Sequence, residues 1–121
     1  MAQGNYIELA RQNDAFRRTL ETGGHAQLVV MTIQPGEEIG EETHEGDQIL
    51  FFVEGEGEAV IEGQSSPVRP GDYVFVPAGT LHNFVNTGGE PLRLVTTYAP
   101  PEHPDGTVHQ TKAEADAAEE H

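Results

Sequence analysis

Apolar residues recur along the chain in short runs, some alternating with polar residues and some continuous, and each run stops at a turn signal. The runs are AQLVVMTI (26–33), QILFFVE (48–54), EAVIEG (58–63), DYVFVPA (72–78), HNFVN (82–86) and LRLVTTYA (92–99). Their length and their β-branched and aromatic content predict strands and not helices. Turn residues fall between them at Pro35-Gly36, Gly55-Glu56-Gly57, Glu62-Gly63, Pro70-Gly71 and Gly88-Gly89, where Gly supplies positive φ and Pro fixes φ near −65°. This punctuation predicts an all-β sandwich or barrel with its core over about 25–100. Apolar residues occupy both parities of ILFFV (49–53), so that strand is expected to be covered on both faces, the outer one by a second sheet, a terminal segment or another subunit.

The flanks are less periodic. Residues 1–24 carry no clear pattern, and FRRTLET (16–22) fits either an edge strand or a short helix. The stretch PPEHPDGTVHQ (100–110), with its three prolines, reads as an irregular segment. Beyond it Thr111-Lys112-Ala113-Glu114 has the capping-box pattern, and ADAAEE follows, predicting a short acidic helix that needs a surface to pack on. No repeat or Ser/Gly linker divides the chain, so residues 1–121 are expected to form a single domain, with the Pro-rich tail and helix over 101–121.

Composition narrows the function. A chain of 121 residues can bury a core without a metal or disulfide staple, so a metal, if bound, serves function. Cysteine is absent, which removes thiolate ligands and thiol nucleophiles. Twenty-one acidic against six basic residues give a net charge of −15. Nucleic acid is therefore excluded as a partner, since its binding needs clustered Lys and Arg, and the only basic cluster is Arg17-Arg18. The same field opposes anionic substrates unless one Arg reaches a pocket, and Arg69 and Arg93 are the candidates for that. The first residues lack the pattern of a signal peptide and no apolar run is long enough to span a bilayer, so a soluble, cytoplasmic protein without a membrane partner is expected.

Candidate chemistry sits in GEEIGEETHEGDQILFFVEG (36–55). In an extended segment side chains alternate faces, so Glu42 and His44 share one face, and Gln48 joins them if no bulge intervenes. His82 lies just past Pro77-Ala78-Gly79. If it approaches from a neighbouring strand, two nitrogens and two oxygens surround one point, a mixed set that suits a divalent first-row transition metal. A Glu-x-His pair in so acidic a stretch equally describes solvated surface.

The two stretches together resemble the paired motifs of the cupin family. Gly36, five residues, Glu42-x-His44, three residues, Gln48, six residues and Gly55 are similar to the first motif, commonly G-x5-H-x-H-x3-4-E-x6-G. Gly71, five residues, Pro77-x-Gly79, two residues, His82, three residues and Asn86 match the second, G-x5-P-x-G-x2-H-x3-N, at every position. The resemblance implies a double-stranded β-helix with a metal site inside the barrel, His44 and His82 as ligands, and a Pro77-Gly79 turn that aims His82 inward. Asn86 is then expected to satisfy backbone groups. Many small cupins pair, which implies a homodimer. Glu42 stands where the family has its first His, and Gln48 where it has its Glu. One carboxylate and two imidazoles are retained in a rearranged order, so the metal set is Glu42, His44, His82 and, as its weakest member, Gln48. Such a set accommodates Fe, Mn, Ni, Co or Zn.

The function implied is a metal-dependent enzyme acting on a small molecule, oxygenase-like with Fe(II) or a lyase or isomerase with a Lewis-acidic metal, with Glu42 able to act as a base if it dissociates. A non-catalytic cupin that binds a small molecule or carbohydrate is the alternative, and a sugar-phosphate isomerase the third. Of the remaining histidines, His25 and the terminal His121 read as solvated, while His103 and His109 lie in the Pro-rich tail. Should that tail cross the barrel mouth, His103 becomes a candidate acid or base near neutral pH.

Overall fold

A computed structural model describes residues 1–119; His121 and the last residue of ADAAEE lie outside the described residues. Nine strands and two helices follow in the order α1 (Tyr6–Gln12), β1 (Arg17–Thr22), β2 (Gln27–Ile33), β3 (Asp47–Glu54), β4 (Gly57–Ile61), β5 (Gln64–Val68), β6 (Tyr73–Val76), β7 (His82–Val85), β8 (Leu92–Ala99), β9 (Val108–His109) and α2 (Lys112–Glu119). A six-stranded sheet runs β6-β3-β8-β2-β1-β9, and a three-stranded sheet runs β5-β4-β7. Every pairing is antiparallel.

The two sheets bury a shared core. Leu50 and Phe52 of β3, Met31 and Ile33 of β2, and Leu92 and Leu94 of β8 meet Ala59 of β4, Val68 of β5 and Phe84 of β7. The alternation read from the sequence explains which residues turn inward. On β3 the buried positions are Gln48, Leu50 and Phe52, while Ile49, Phe51 and Val53 face out, as the period of two requires.

The outer face of the large sheet is covered by the N-terminal segment. Asn5 caps α1 by accepting the Glu8 amide (3.0 Å), and Ala10 packs on Val30 and Val95 with Val53 and Leu28 at the margin. The cover on β3 is incomplete, because Phe51 remains 43% exposed, close to exposed Tyr73 and Phe75 on edge strand β6. FRRTLET resolves as strand β1, which β2 and β9 flank.

Strand β5 carries no sequence signal. QSSPV is polar except at its end, buries only Val68 and holds Pro67, which an edge strand tolerates because one side of its backbone needs no partner. The Glu62-Gly63 turn that leads into it has both residues at positive φ (51° and 79°), the geometry of a tight hairpin. Helix α2 forms where the capping box placed it, with Thr111 Oγ1 accepting the Glu114 amide (3.1 Å). It buries Ala115 in the main core.

Candidate metal centre

The turn after β6 is what brings the two candidate stretches together. Gly79 adopts φ +79°, and its amide donates to the carbonyl of His44 (2.8 Å). Ala78 N–H donates to the Asp47 carboxylate (3.0 Å). Two further backbone bonds join Glu42 and His82 reciprocally, Glu42 N to His82 O (2.9 Å) and His82 N to Glu42 O (3.0 Å). Glu42 and His82 thus sit opposite each other as a bridge pair, and His44 lies two residues along. Asn86, fully inside, donates to the carbonyls of Ile33 and Glu90 (both 2.8 Å) and accepts from Gly88 N (2.9 Å), the backbone role expected of it.

Glu42, His44 and His82 converge so that one ligand atom from each lies within 4.8 Å of the others. Glu42 Oε1 is 3.2 Å from His44 Nε2 and 3.8 Å from His82 Nε2. The imidazole side chains are 8% and 1% exposed, whereas Glu42 is 21% exposed and marks the open side of the cluster. The rings lie 5.1 Å apart between centroids.

The tautomer of His82 follows from its surroundings. Its Nδ1 is 2.9 Å from the carbonyl oxygen of Thr80, and a carbonyl can only accept, so Nδ1 carries the proton. In the neutral ring Nε2 then presents a lone pair toward Glu42, and that nitrogen is buried with no hydrogen-bond partner. A buried acceptor facing a carboxylate is costly unless a cation or proton lies between them. Gln48 shows the same feature. Its Nε2 donates to Thr96 Oγ1 (3.0 Å), leaving Oε1 buried without a donor. A carboxylate and two imidazoles converging within 4.8 Å, one of the ring nitrogens without a partner, are a donor set that a hard or borderline divalent ion takes, so the residues present fit a metal.

Electrostatics couple the cluster tightly. Burial alone pushes the Glu42 carboxyl up, but its hydrogen bond to His44 and the charges of His44, His82 and Arg17 hold it below the ordinary carboxylate range. Burial likewise works against protonating His44. The hydrogen bond and charge of Glu42, reinforced by Glu102, overcome it, and the His44 pKa is raised. Both shifts favour the charged forms of this Glu42–His44 pair.

Three other participants escaped the sequence reading. Glu102, from the Pro-rich tail, places Oε1 3.1 Å from His44 Nδ1. Tyr98 packs edge-on against His44 with centroids 5.4 Å apart; its alternation with Thr96 and Leu94 along β8 was the available signal. Arg17 is 2% exposed and lies 3.0 Å from His109 Nδ1, and its charge acts on Tyr98 against the burial that pushes that phenol up. The candidates for an inward-reaching cation are corrected accordingly. Arg93 is engaged by Glu54 (3.2 Å), Asp14 (3.4 Å) and the Asn13 carbonyl, and Arg69 is exposed. The inward guanidinium is Arg17, because the inward register of β1 happens to fall on it.

His103 lies outside the three-residue cluster, edge-on to Tyr98 at 5.2 Å. Burial, then the charge of Arg17 with those of His109 and His44, outweigh the pull of Glu42 and lower its pKa to about 4. At neutral pH it is a neutral imidazole and not a half-protonated acid. A depressed histidine contributes stability above its unfolded pKa of 6.5 that is lost as pH falls through about 4. An NMR titration of the His103 ring in the metal-free protein is expected to give a midpoint near 4; a midpoint at or above 6.5 contradicts the packing. His25 is exposed, as expected.

Comparison with known proteins identifies the family of the chain. The "Cupin domain" family model matches residues 29–98. An uncharacterized Bacillus subtilis protein, YrkC, is 45% identical over 124 aligned residues, covering 96% of this chain and 66% of its own. The acireductone dioxygenase of Parvibaculum lavamentivorans is 30% identical over 106 residues, covering 74% of this chain and 57% of its own. The chain thus spans roughly two thirds or less of these relatives. A crystal structure of BH2720 from Bacillus halodurans superposes with a TM-score of 0.94 at 44% identity, covering 96% of this chain and 93% of that one.

Proposed function

The chain belongs to the cupin family, a double-stranded β-helix, and from that premise we propose that Glu42, His44 and His82 hold a divalent first-row metal and that the protein is a metal-dependent enzyme acting on a small organic molecule. The observation that carries this reading is the buried His82 Nε2, which faces Glu42 at 3.8 Å without a hydrogen-bond partner. Gln48 supplies a further oxygen from the same inward face, as a weak ligand or as a partner for bound water. When bound, the metal supplies Lewis acidity and, if it is Fe(II), a site for oxygen chemistry.

The chain's own residues supply the setting. Thr80 fixes the tautomer of His82, and Thr96 fixes the amide of Gln48. Phe84, 5.9 Å from the His82 ring between centroids, and Tyr98 wall the cluster with apolar surface, which strengthens polar interactions by excluding water. Glu42, on the open side, is first a ligand and, if it dissociates from the metal, the group placed to take a proton from a bound molecule at its carboxylate oxygen. Likeness to a dioxygenase by name supports the oxygenase form of the reading.

Protein purified without chelator is expected to carry close to one equivalent of a first-row metal by elemental analysis. When loaded with Fe(II), it is expected to consume oxygen with at least one member of a panel of small carbonyl and phenolic acids. Stoichiometric metal with neither turnover nor oxygen uptake favours the binding-module alternative, and failure to retain any divalent metal overturns the metal reading itself. Exposed Phe51, Tyr73 and Phe75 support pairing of two copies through the β3–β6 face.

A further inference from the structure

The Pro-rich tail sets Glu102 beside His44 and His103 beside Tyr98. Residues 102 and 103 are gripped by the buried amide of Gln27. Gln27 Oε1 accepts from the backbone N–H groups of Glu102 (3.3 Å) and His103 (3.1 Å), while its Nε2 donates to the His103 carbonyl (2.8 Å) and to Thr22 Oγ1 (3.0 Å). Farther along, the carbonyl of Thr107 accepts from both the amide and the hydroxyl of Thr19 (3.0 and 2.9 Å), and β9 pairs with β1. The backbone at Glu102 and beyond it is therefore fixed, although the Glu102 side chain is 36% exposed. What this fixed backbone delivers is a carboxylate oxygen 3.1 Å from Nδ1 of His44, the ring nitrogen turned away from Glu42, in an ion-pair contact whose alignment falls short of a regular hydrogen bond.

We propose that Glu102 is a positioning residue for the metal site: its carboxylate accepts the Nδ1 proton of His44, fixing the ring so that Nε2 faces the ion, and Gln27 holds the tail segment that makes this possible. The inference rests on the metal reading above. An imidazole held by a carboxylate on its far nitrogen keeps one tautomer and one orientation and is a more basic ligand. A solvated surface pair at the same distance leaves both ring and metal indifferent to its loss. The two cases differ in a measurable way.

The test uses the full chain and its Glu102→Ala and Glu102→Gln variants, with Zn2+ or Mn2+ titrated against a competing chelator. Glu102→Ala is expected to weaken metal binding by roughly 10–100-fold. Glu102→Gln, whose amide oxygen still accepts from Nδ1, is expected to stay within about threefold of the parent. Parental affinity in Glu102→Ala, or a Glu102→Gln variant as weak as Glu102→Ala, overturns the proposal. A second reading needs no metal. In the metal-free chain Glu102→Ala is expected to move the 15N shift of His44 Nδ1 and leave the His82 ring unchanged. A parent that binds no metal but shows this shift change refutes the metal reading alone. An unmoved His44 shift refutes the role of Glu102.

Discussion

Replacing Glu42 by alanine is expected to lower affinity for Mn2+ or Zn2+ by more than about 100-fold, beyond the loss that follows removal of a supporting hydrogen bond. Glu42 is the one carboxylate in the cluster of three, and its oxygen stands 3.2 Å from one imidazole nitrogen and 3.8 Å from the other. Without it the site offers neutral nitrogens and the amide of Gln48, and a divalent ion finds no charge to balance. Gln48→Ala is expected to cost less than about tenfold, because a neutral amide oxygen is a weak donor and Thr96 already engages its nitrogen. Glu42→Gln, which keeps the shape and loses the charge, is expected to fall with Glu42→Ala. Competition titrations on the three variants check the order, and an unchanged affinity in Glu42→Ala removes Glu42 from the ligand set.

Substituting Gly55 by alanine is expected to destabilise the fold by about 2–5 kcal/mol, from two independent sources. Gly55 has φ +85°, a region that costs an L-residue with a Cβ about 1–2 kcal/mol. The added Cβ also collides with the Pro91 carbonyl oxygen and sits 3.0 Å from Leu92 Cα, where the neighbour is backbone and cannot swing aside. Such overpacking costs about 1–3 kcal/mol more. Gly89, with open space around its Cβ position, serves as the control, and Gly89→Ala is expected to stay within about 0.5 kcal/mol of the parent. Urea unfolding of both variants decides the matter. Equal midpoints for the Gly55 and Gly89 variants contradict the close approach at the start of β8.

These results bear on what the sequence could reveal. The motif glycines at 36, 55, 71 and 79 all adopt positive φ, so their spacing encodes the backbone turns that set Glu42, His44 and His82 face to face. On β3 the inner face holds Gln48, Leu50 and Phe52, whereas the run ILFFV, apolar at both parities, did not by itself say which parity turns inward. Strand β5 was illegible because an exposed edge strand buries almost nothing and so needs no apolar alternation. Helix α1 was illegible because its seven residues bury only Ala10, and its cap at Asn5 is one polar residue among many.

Glu102 and Arg17 were hidden for a different reason. Glu102 is one acid among twenty-one, and only the grip of Gln27 on residues 102 and 103, across 75 positions of sequence, sets it apart from its neighbours. Arg17 sits in a stretch that read as strand or helix, and the face it takes depends on the register of β1 with β2. Long-range register is a tertiary property, and local pattern does not determine it.

The central claim is that one ion is shared by Glu42, His44 and His82, and anomalous X-ray scattering from crystals of protein prepared without chelator tests it most directly. Data collected on either side of the absorption edge of the metal found by elemental analysis are expected to show a single peak at about 2.0–2.2 Å from a Glu42 carboxylate oxygen and from Nε2 of each histidine. A stoichiometric metal whose peak lies elsewhere, or ordered rings of His44 and His82 turned from a common point, contradicts the account.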